Sequence, residues 1–506
     1  MTSLLRNKRT ILNSFFYIII LGYFLGLVSL ISPARYIEPD FFQYVSDSTY
    51  YLQFRLPPFI QSLPANPILI GTFSTLFSSF VNEVEVALMI NAISASGAFF
   101  ILYTILKEKV GLIQAGVAML FLMLHPILFL SATSINSGML FSFFSICMFY
   151  LFWKKRFLLI CLGSALGILI RYESILLFLS LFSISVLKRD TFISILKRTI
   201  TFSIPGLIIL SVLLGQNHGA TVTSNPFLVE IAERSEDIPE LRFIANIPFA
   251  IIYNNYLLHT HNSDLYLIPA CMFWIGIFLI ISKSKIDENE LFYFSLLFSL
   301  SFLMFHIFFP AYAERYFVPT IFGLVFSFAL FVKKLTIRYQ LLILVVLTGV
   351  IFNNYYFGIH PVLFGEYRIT DKSPDYLTAQ SIKKFIDPNS KYLLVSPYPQ
   401  TLQYYYRDTS NIEFISVRKM KSKTDCTTVE CALDKLASDE STFVLIPFNN
   451  VFYYGLFLDH DAAVRKWHEN IGLFELGDYL HSDNSCVIHQ ETSQKDQFNL
   501  VLYQPC

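Results

Sequence analysis

The order of apolar and polar positions divides the chain into a long part suited to a membrane and a shorter polar part. A helix needs about 20 apolar residues to cross roughly 30 Å of hydrocarbon. Runs of about this length recur up to residue 357, and none follows it. We therefore predict about eleven transmembrane helices, near residues 11–31, 84–106, 110–127, 138–153, 157–171, 173–187, 199–215, 265–282, 290–309, 316–332 and 340–357.

The apolar run 67–81 is predicted not to cross. It is short, begins just after Asn66 and contains several Ser and Thr. With a cytoplasmic N-terminus and this run on the outer surface, 17 Lys and Arg lie on the cytoplasmic side and six in the outer loops before residue 358. A crossing at 67–81 would invert that bias, against the positive-inside rule. The pattern thus predicts a surface helix at 67–81, preceded by an outer loop at 32–66.

Residues 358–506 have a different pattern. The β-rich runs 391–396, 443–447 and 499–503 predict strands, and the segments 376–386 and 428–438 predict helices. We expect a small α/β domain here, following a membrane domain at residues 1–357. An odd number of crossings places this second domain outside the cytoplasm.

Composition agrees with a multi-pass membrane protein. Hydrophobic residues make up 54% of the chain and charged residues 15%. The net charge is zero, so the charge balance gives no argument for a nucleic-acid partner. No Asn-x-Ser/Thr acceptor occurs, which favours a bacterial inner membrane over the endoplasmic reticulum.

Four of the seven cysteines lie in the C-terminal part, at Cys426, Cys431, Cys486 and Cys506. In an oxidising compartment they could form two disulfides. The sequence does not separate the three possible pairings, although we favour Cys426–Cys431 with Cys486–Cys506. The alternative is four reduced thiols in a small core.

Charged residues that are unusual for a membrane protein collect at the predicted outer ends of the spans. A carboxylate at a membrane surface is unfavourable unless it is solvated, paired or used. Acids and arginines from distant segments would meet there at one depth and could bind an anionic, lipid-linked substrate. No group has the spacing of metal ligands, so we expect no metal. The candidates are Asp40, Asp47 and Arg55; Arg171 and Glu173; His259; and Glu314 and Arg315.

These segments and their order resemble the GT-C glycosyltransferases, multi-spanning enzymes that use polyprenyl-phosphate sugars and include protein mannosyltransferases and aminoarabinose transferases. The matching motifs are Asp47-Ser-Thr-Tyr-Tyr-Leu, Arg171-Tyr-Glu and Arg315-Tyr-Phe-Val-Pro, together with the run beginning at Asn66-Pro67. The likeness covers the layout of residues 1–357. Many members have Asp-Glu where this chain has Asp47-Ser48.

The resemblance implies inverting transfer of a sugar from a polyprenyl-phosphate carrier to a lipid, glycan or protein acceptor on the outer face, without a cofactor. Asp47, or else Asp40, would be the general base, and Arg171 or Arg315 would stabilise the leaving phosphate. Other substrate-binding candidates are Glu173, Glu314, Arg55 and His259.

Each candidate also has an ordinary structural explanation. Asp47 could cap a helix that begins at Ser48, and Asp40 could shape a turn. Arg171 with Glu173, and Glu314 with Arg315, could be ion pairs that anchor helix ends. Arg55 could be an interfacial anchor, and His259 could belong to a solvated loop. A transporter of lipid-linked sugars and a non-catalytic assembly protein are the alternative functions.

Overall fold

The computed structural model describes most of the N-terminal part and sections of the C-terminal part. The described residues are 2–32, 39–55, 57, 63–187, 204, 208, 290–308, 318–333, 335–364, 376, 379, 380, 383, 387, 390–396, 399–406, 409–437, 442–448, 487–492 and 499–503. The chain forms two compact units. The first contains Met1–Pro33 and Gln43–Ile369, and the second contains Ala34–Phe42 and Thr370–Cys506.

The first unit is helical throughout its described residues. Its helices are α1 (Thr2–Ser29), α2 (Pro39–Leu52, from Gln43 onward), α3 (Ala65–Leu76), α4 (Glu83–Lys109), α5 (Leu112–Met123), α6 (Pro126–Thr133), α7 (Gly138–Trp153), α8 (Phe157–Gly167), α9 (Ile175–Leu187), α10 (Glu290–Phe308), α11 (Val318–Val332), α12 (Ile337–Asn353) and α13 (His360–Phe364). A 3₁₀ turn at Tyr172–Ser174 precedes α9, and a π-helical segment at Asn354–Ile359 joins α12 to α13.

Three helices of the described part are long and apolar enough to cross a membrane: Thr10–Ser29, Glu83–Lys109 and Ile337–Phe364. The pair α5 and α6 makes a fourth if it counts as one broken span, and four further apolar helices are shorter. The protein is thus a membrane protein. The count of eleven spans stays a prediction, because the predicted spans 199–215 and 265–282 lie largely or wholly outside the described residues.

Helix α4 lies at the centre of the first unit. Of its most apolar 18-residue stretch, 67% is buried. It begins with a capping box, in which the Asn82 side chain accepts a hydrogen bond from the Glu85 backbone and the Glu85 carboxylate accepts one from the Asn82 backbone. Helices α1, α3, α5, α6, α7 and α11 pack around it. The surrounding helices therefore pack against one long, capped and largely buried helix of 27 residues.

The predicted span 110–127 is wrong as a single helix. Helices α5 and α6 are bent by 62° at the break before Pro126. Proline lacks a backbone N–H and disfavours helical geometry at the residue before it, and His125 has the extended angles φ −81° and ψ 123°. The proline therefore marks the position of the break.

Small residues bring α10 and α11 into close contact. A Cβ on Gly323 would lie 1.9 Å from the Ser299 hydroxyl oxygen and 3.2 Å from the Ser295 carbonyl oxygen, so a larger residue would force the neighbouring groups to shift. The hydroxyls of Ser295 and Ser327 lie 2.7 Å apart across the same helix pair. Close backbones and interhelical hydrogen bonds are how helices associate where lipid supplies no hydrophobic driving force.

The second unit contains a five-stranded mixed sheet. Its elements, apart from residues 34–42, are β1 (Lys391–Ser396), α14 (Pro399–Tyr405), β2 (Ile412–Ser416), α15 (Val417–Thr424), α16 (Val429–Ala437), β3 (Thr442–Phe448), β4 (Val487–Thr492) and β5 (Asn499–Tyr503). The strand order is β2-β1-β3-β5-β4. Strands β1, β2 and β3 are parallel, and β5 is antiparallel to both β3 and β4.

Both faces of strand β1 are buried. Leu393 and Val395 of β1 pack with residues of α15 and α16, whereas Tyr392 and Leu394 pack with residues on the other side, including Leu402 of α14. This alternation follows from the two-residue period of a strand. The predicted α/β character is confirmed for the described residues, although β2, β4, α14 and α15 were not predicted.

Cys426 and Cys431 form a disulfide that links the end of α15 to α16. The first of the two favoured pairings is therefore confirmed. Cys486 and Cys506 lie outside the described residues.

Candidate functional site

Asp47 lies in the middle of α2, and its side chain is buried, with 1% of the residue exposed. Helix α2 begins at Pro39, and proline is favoured at the first helical position because its fixed φ suits the helix. The alternative that Asp47 caps a helix beginning at Ser48 is therefore wrong. A buried carboxylate in the middle of a helix needs hydrogen-bond partners from elsewhere in the fold.

Gln43 supplies one of those partners. Its Nε2 donates a hydrogen bond of 2.7 Å to Oδ1 of Asp47. The two residues are four positions apart, which places them on the same face of the helix. Tyr51, a further four positions along, continues the same stripe.

Tyr51 is close to Asp47 and also to Tyr172, which comes from a segment more than 100 positions away in the sequence. Burial, then the Asp47 carboxylate and then Tyr172 raise the pKa of Tyr51 above its usual value. The tyrosine therefore stays protonated near neutral pH and keeps its hydrogen for donation. The first loop and the turn that contains Arg171 meet at this point.

Packing contacts hold the two segments together. The backbone N–H of Ala65, at the start of α3, donates to the carbonyl of Leu169 at 3.0 Å. Leu63, Leu169 and Tyr172 pack around the buried Ile168. Helix α2 contacts α3 where Ser48 lies against Gly71. Helix α2 therefore rests on α3 through Ser48, the residue after Asp47, and α3 is bonded to the segment that carries Tyr172.

Arg171 and Glu173 form a buried ion pair. Nε of Arg171 donates to both carboxylate oxygens of Glu173, at 3.1 and 3.2 Å, and Nη2 also contacts Oε1. Only 6% of Arg171 and 8% of Glu173 are exposed. The guanidinium carbon lies 6.0 Å from the centre of the Phe141 ring. This is the ion-pair alternative stated for the two residues, and a substrate contact by Arg171 stays a prediction.

The structure says less about the remaining candidate residues. Asp40 lies in the first turn of α2, but its side chain is outside the described residues. Arg55 is exposed, three residues after the end of α2. His259, Glu314 and Arg315 are also outside the described residues.

Among the described residues, no group of three or more His, Cys, Asp or Glu side chains could hold a metal ion.

The sequence interpretation missed Gln43, Tyr51 and Tyr172 as members of the site. Tyr51 and Tyr172 lie within the motifs quoted for the resemblance, but no role was assigned to them. The signal that would have identified Gln43 and Tyr51 is the spacing of four on either side of Asp47, once Pro39 is taken as the helix start. No local pattern could have joined Tyr172 to them.

The described part of the chain consists of a helical membrane unit and an α/β unit. Solved structures share this architecture, and they bear out the fold that the sequence resemblance implies. The particular similarity is to ArnT from Cupriavidus metallidurans bound to undecaprenyl phosphate, with a TM-score of 0.60 and 12% identity over 96% of this chain and 97% of that one.

The same enzyme in the apo state gives a TM-score of 0.59 with 13% identity, over 97% of this chain and 98% of that one. An oligosaccharyltransferase from Archaeoglobus fulgidus is less similar, with a TM-score of 0.47 and 12% identity over 95% of this chain and 72% of that one. The sequence matches no protein-family model and no curated protein. At these identities the two ArnT structures show a shared fold.

Proposed function

We propose that the protein is a glycosyltransferase that moves a sugar from a polyprenyl-phosphate carrier to an acceptor hydroxyl at the outer face of the membrane. The observation that carries the proposal is the buried carboxylate of Asp47, held by Gln43 beside the hydroxyl-bearing side chains of Tyr51 and Tyr172. The full-length similarity of fold to an enzyme described as bound to undecaprenyl phosphate supports the choice of donor.

The reaction is an inverting displacement. Asp47 takes the proton of the acceptor hydroxyl as its oxygen attacks the anomeric carbon of the sugar. The bond from that carbon to the phosphate oxygen breaks, and polyprenyl phosphate leaves with the electron pair. A positioned general base contributes typically 10²–10⁴-fold to such a step.

We assign different roles to the two buried carboxylates. Glu173 is held by a guanidinium, which favours its charged form and makes it a poor base. Its pair with Arg171 instead fixes the turn that presents Tyr172. Arg315 is our candidate for the cation at the leaving phosphate, where a guanidinium would give a planar, two-point contact. The acceptor remains a lipid, a glycan or a protein, and the donor sugar is open.

The test uses full-length protein in nanodiscs with a panel of radiolabelled undecaprenyl-phosphate sugars and membrane lipids of the source cells as acceptors. We expect labelled product and release of undecaprenyl phosphate. Asp47→Asn should lower kcat about 10²–10⁴-fold while binding of undecaprenyl phosphate, measured by native mass spectrometry, is retained.

The matched control is Glu413→Gln, which neutralises an exposed carboxylate of the second unit, paired with Lys423 at 2.8 Å. It should leave kcat unchanged. Full activity of Asp47→Asn would overturn the assignment of the base. Movement of labelled lipid across vesicles without any glycosidic product would instead indicate the transporter alternative.

A further inference from the structure

Gln43 of α2 is in direct contact with the candidate base. Its amide nitrogen lies 2.7 Å from Oδ1 of Asp47, within one helical turn of the carboxylate. On a solvated helix surface, a Gln–Asp pair at this spacing contributes little to stability. Here the carboxylate is buried and Gln43 is half-buried, so the same bond acts on a charge that water reaches poorly.

An amide is a particular choice of partner for such a carboxylate. It donates a hydrogen bond to the anion but adds no opposite charge. An arginine in the same role, as at Glu173, stabilises the anion more strongly and makes it less basic. The site thus contains one buried carboxylate, Glu173, that receives hydrogen bonds from a guanidinium, and another, Asp47, that receives one from an amide.

We propose that Gln43 is a positioning residue that orients the Asp47 carboxylate and sets the pH range in which it works as the base. This inference rests on the proposed function, because it requires that Asp47 takes the proton. Gln43 touches neither the sugar donor nor the acceptor and acts only through Asp47.

Other titratable groups near Asp47 could also influence the pH at which its carboxyl group titrates. Tyr51 lies on the same helix and Tyr172 on the facing turn, both neutral near pH 7. The Arg171–Glu173 pair flanks Tyr172 with opposite charges. Helix α3, which packs against α2, has no titratable side chain. Substituting Gln43 therefore changes one hydrogen bond to Asp47 and leaves these groups in place.

Two substitutions should move the acid limb of the pH profile of kcat/KM in opposite directions. Gln43→Leu removes the donor, so the anion loses stabilisation and the limb moves to higher pH by about one unit. Gln43→Lys adds a positive charge, so the limb moves to lower pH by a similar amount. A residue that only supported the helix would lower stability without shifting the limb in either direction.

The measurement is the release of undecaprenyl phosphate from its radiolabelled sugar conjugate by full-length protein across pH 4–9. Gln53→Leu is the matched control, since Gln53 is exposed just after α2, and its limb should not move. The titration of the Asp47 carboxylate is followed independently by infrared difference spectra against Asp47→Asn. Opposite shifts in both readouts support the proposal.

An unmoved limb in both Gln43 variants, with Asp47→Asn inactive, would overturn this inference and leave the proposed function intact. Full activity of Asp47→Asn would overturn the proposed function itself. The infrared titration then still reports whether Gln43 stabilises the charged form of Asp47.

Discussion

At the scale of single residues, the partner decides what a buried charge can do. The sequence marked Asp47, Arg171 and Glu173 as unusual, because charges near a membrane are unfavourable unless paired or used. It could not say which of them pair with each other. In the structure Arg171 forms an ion pair with Glu173, and the side-chain amide of Gln43 donates a hydrogen bond to Asp47.

The pair of Arg171 and Glu173 makes a prediction about stability. Arg171→Ala should leave the Glu173 carboxylate buried without its cation, and should lower the free energy of unfolding by about 3–5 kcal/mol. The measurement is an SDS unfolding titration of the detergent-solubilised protein. Replacing both partners, as Arg171→Met with Glu173→Leu, should recover most of that loss.

The exposed pair of Lys423 and Glu413 is the control for this measurement. Its atoms are 2.8 Å apart, with about half of each side chain or more in solvent. Solvent-exposed ion pairs typically contribute about 0–1 kcal/mol. Equal losses for Lys423→Ala and Arg171→Ala would contradict the view that burial makes the Arg171 pair important.

At the scale of elements, the length of the apolar runs predicted several long helices well but did not predict where a helix breaks. Helix α7 has the same bounds, 138–153, in the sequence interpretation and in the structure. The predicted surface run 67–81 is a shorter helix, Ala65–Leu76, and the segment before it, in which Asp47 lies, is itself helical. Helix α2 was missed because its 14 residues mix aromatic and polar side chains without a clear apolar run.

The contact between α2 and α3 predicts an effect on catalysis. A Cβ on Gly71 would lie 2.8 Å from the Ser48 Cβ and 3.0 Å from the Leu52 Cδ1, so Gly71→Ala must push α2 away by several tenths of an ångström. Asp47 precedes Ser48 and moves with it. Since a 1 Å misplacement can cost about 10²-fold, we expect kcat to fall about tenfold.

Gly349→Ala is the matched control, because nothing lies within 4 Å of a Cβ at that helical position. Alanine favours a helix over glycine by about 1 kcal/mol, so this variant should be as stable as the parent or more so, with unchanged kcat. Both variants are compared by release of undecaprenyl phosphate and by thermal unfolding. Unchanged kcat in Gly71→Ala would show that the position of α2 does not limit the reaction.

At the scale of the whole molecule, the chain combines a helical membrane unit with an α/β unit, and its fold resembles that of ArnT along nearly its full length. The distribution of basic residues predicts that the C-terminal unit lies outside the cytoplasm. The disulfide between Cys426 and Cys431 agrees with that prediction, since disulfides persist in oxidising compartments.

Cysteine labelling tests this orientation. In a chain whose other five cysteines are serine, a membrane-impermeant maleimide should label Cys426 and Cys431 in intact spheroplasts only after reduction. Lys155→Cys in the same background, with Cys426 and Cys431 also replaced, tests the predicted cytoplasmic side and should stay unlabelled. Labelling of Lys155→Cys without labelling of the reduced pair would reverse the orientation.

The sequence by itself determined the membrane character, most of the long apolar helices described in the first unit and the α/β nature of the second. Each of these depends on local periodicity and hydrophobic length, which a short segment carries on its own. Only the tertiary structure decided that Tyr172 lies beside Tyr51, because that proximity depends on how segments more than 100 positions apart pack. It also decided that the nearby residues Gln43 and Asp47, and Arg171 and Glu173, are in contact. Their spacing in the sequence permits these pairs, but the backbone conformation and the burial at each site select them.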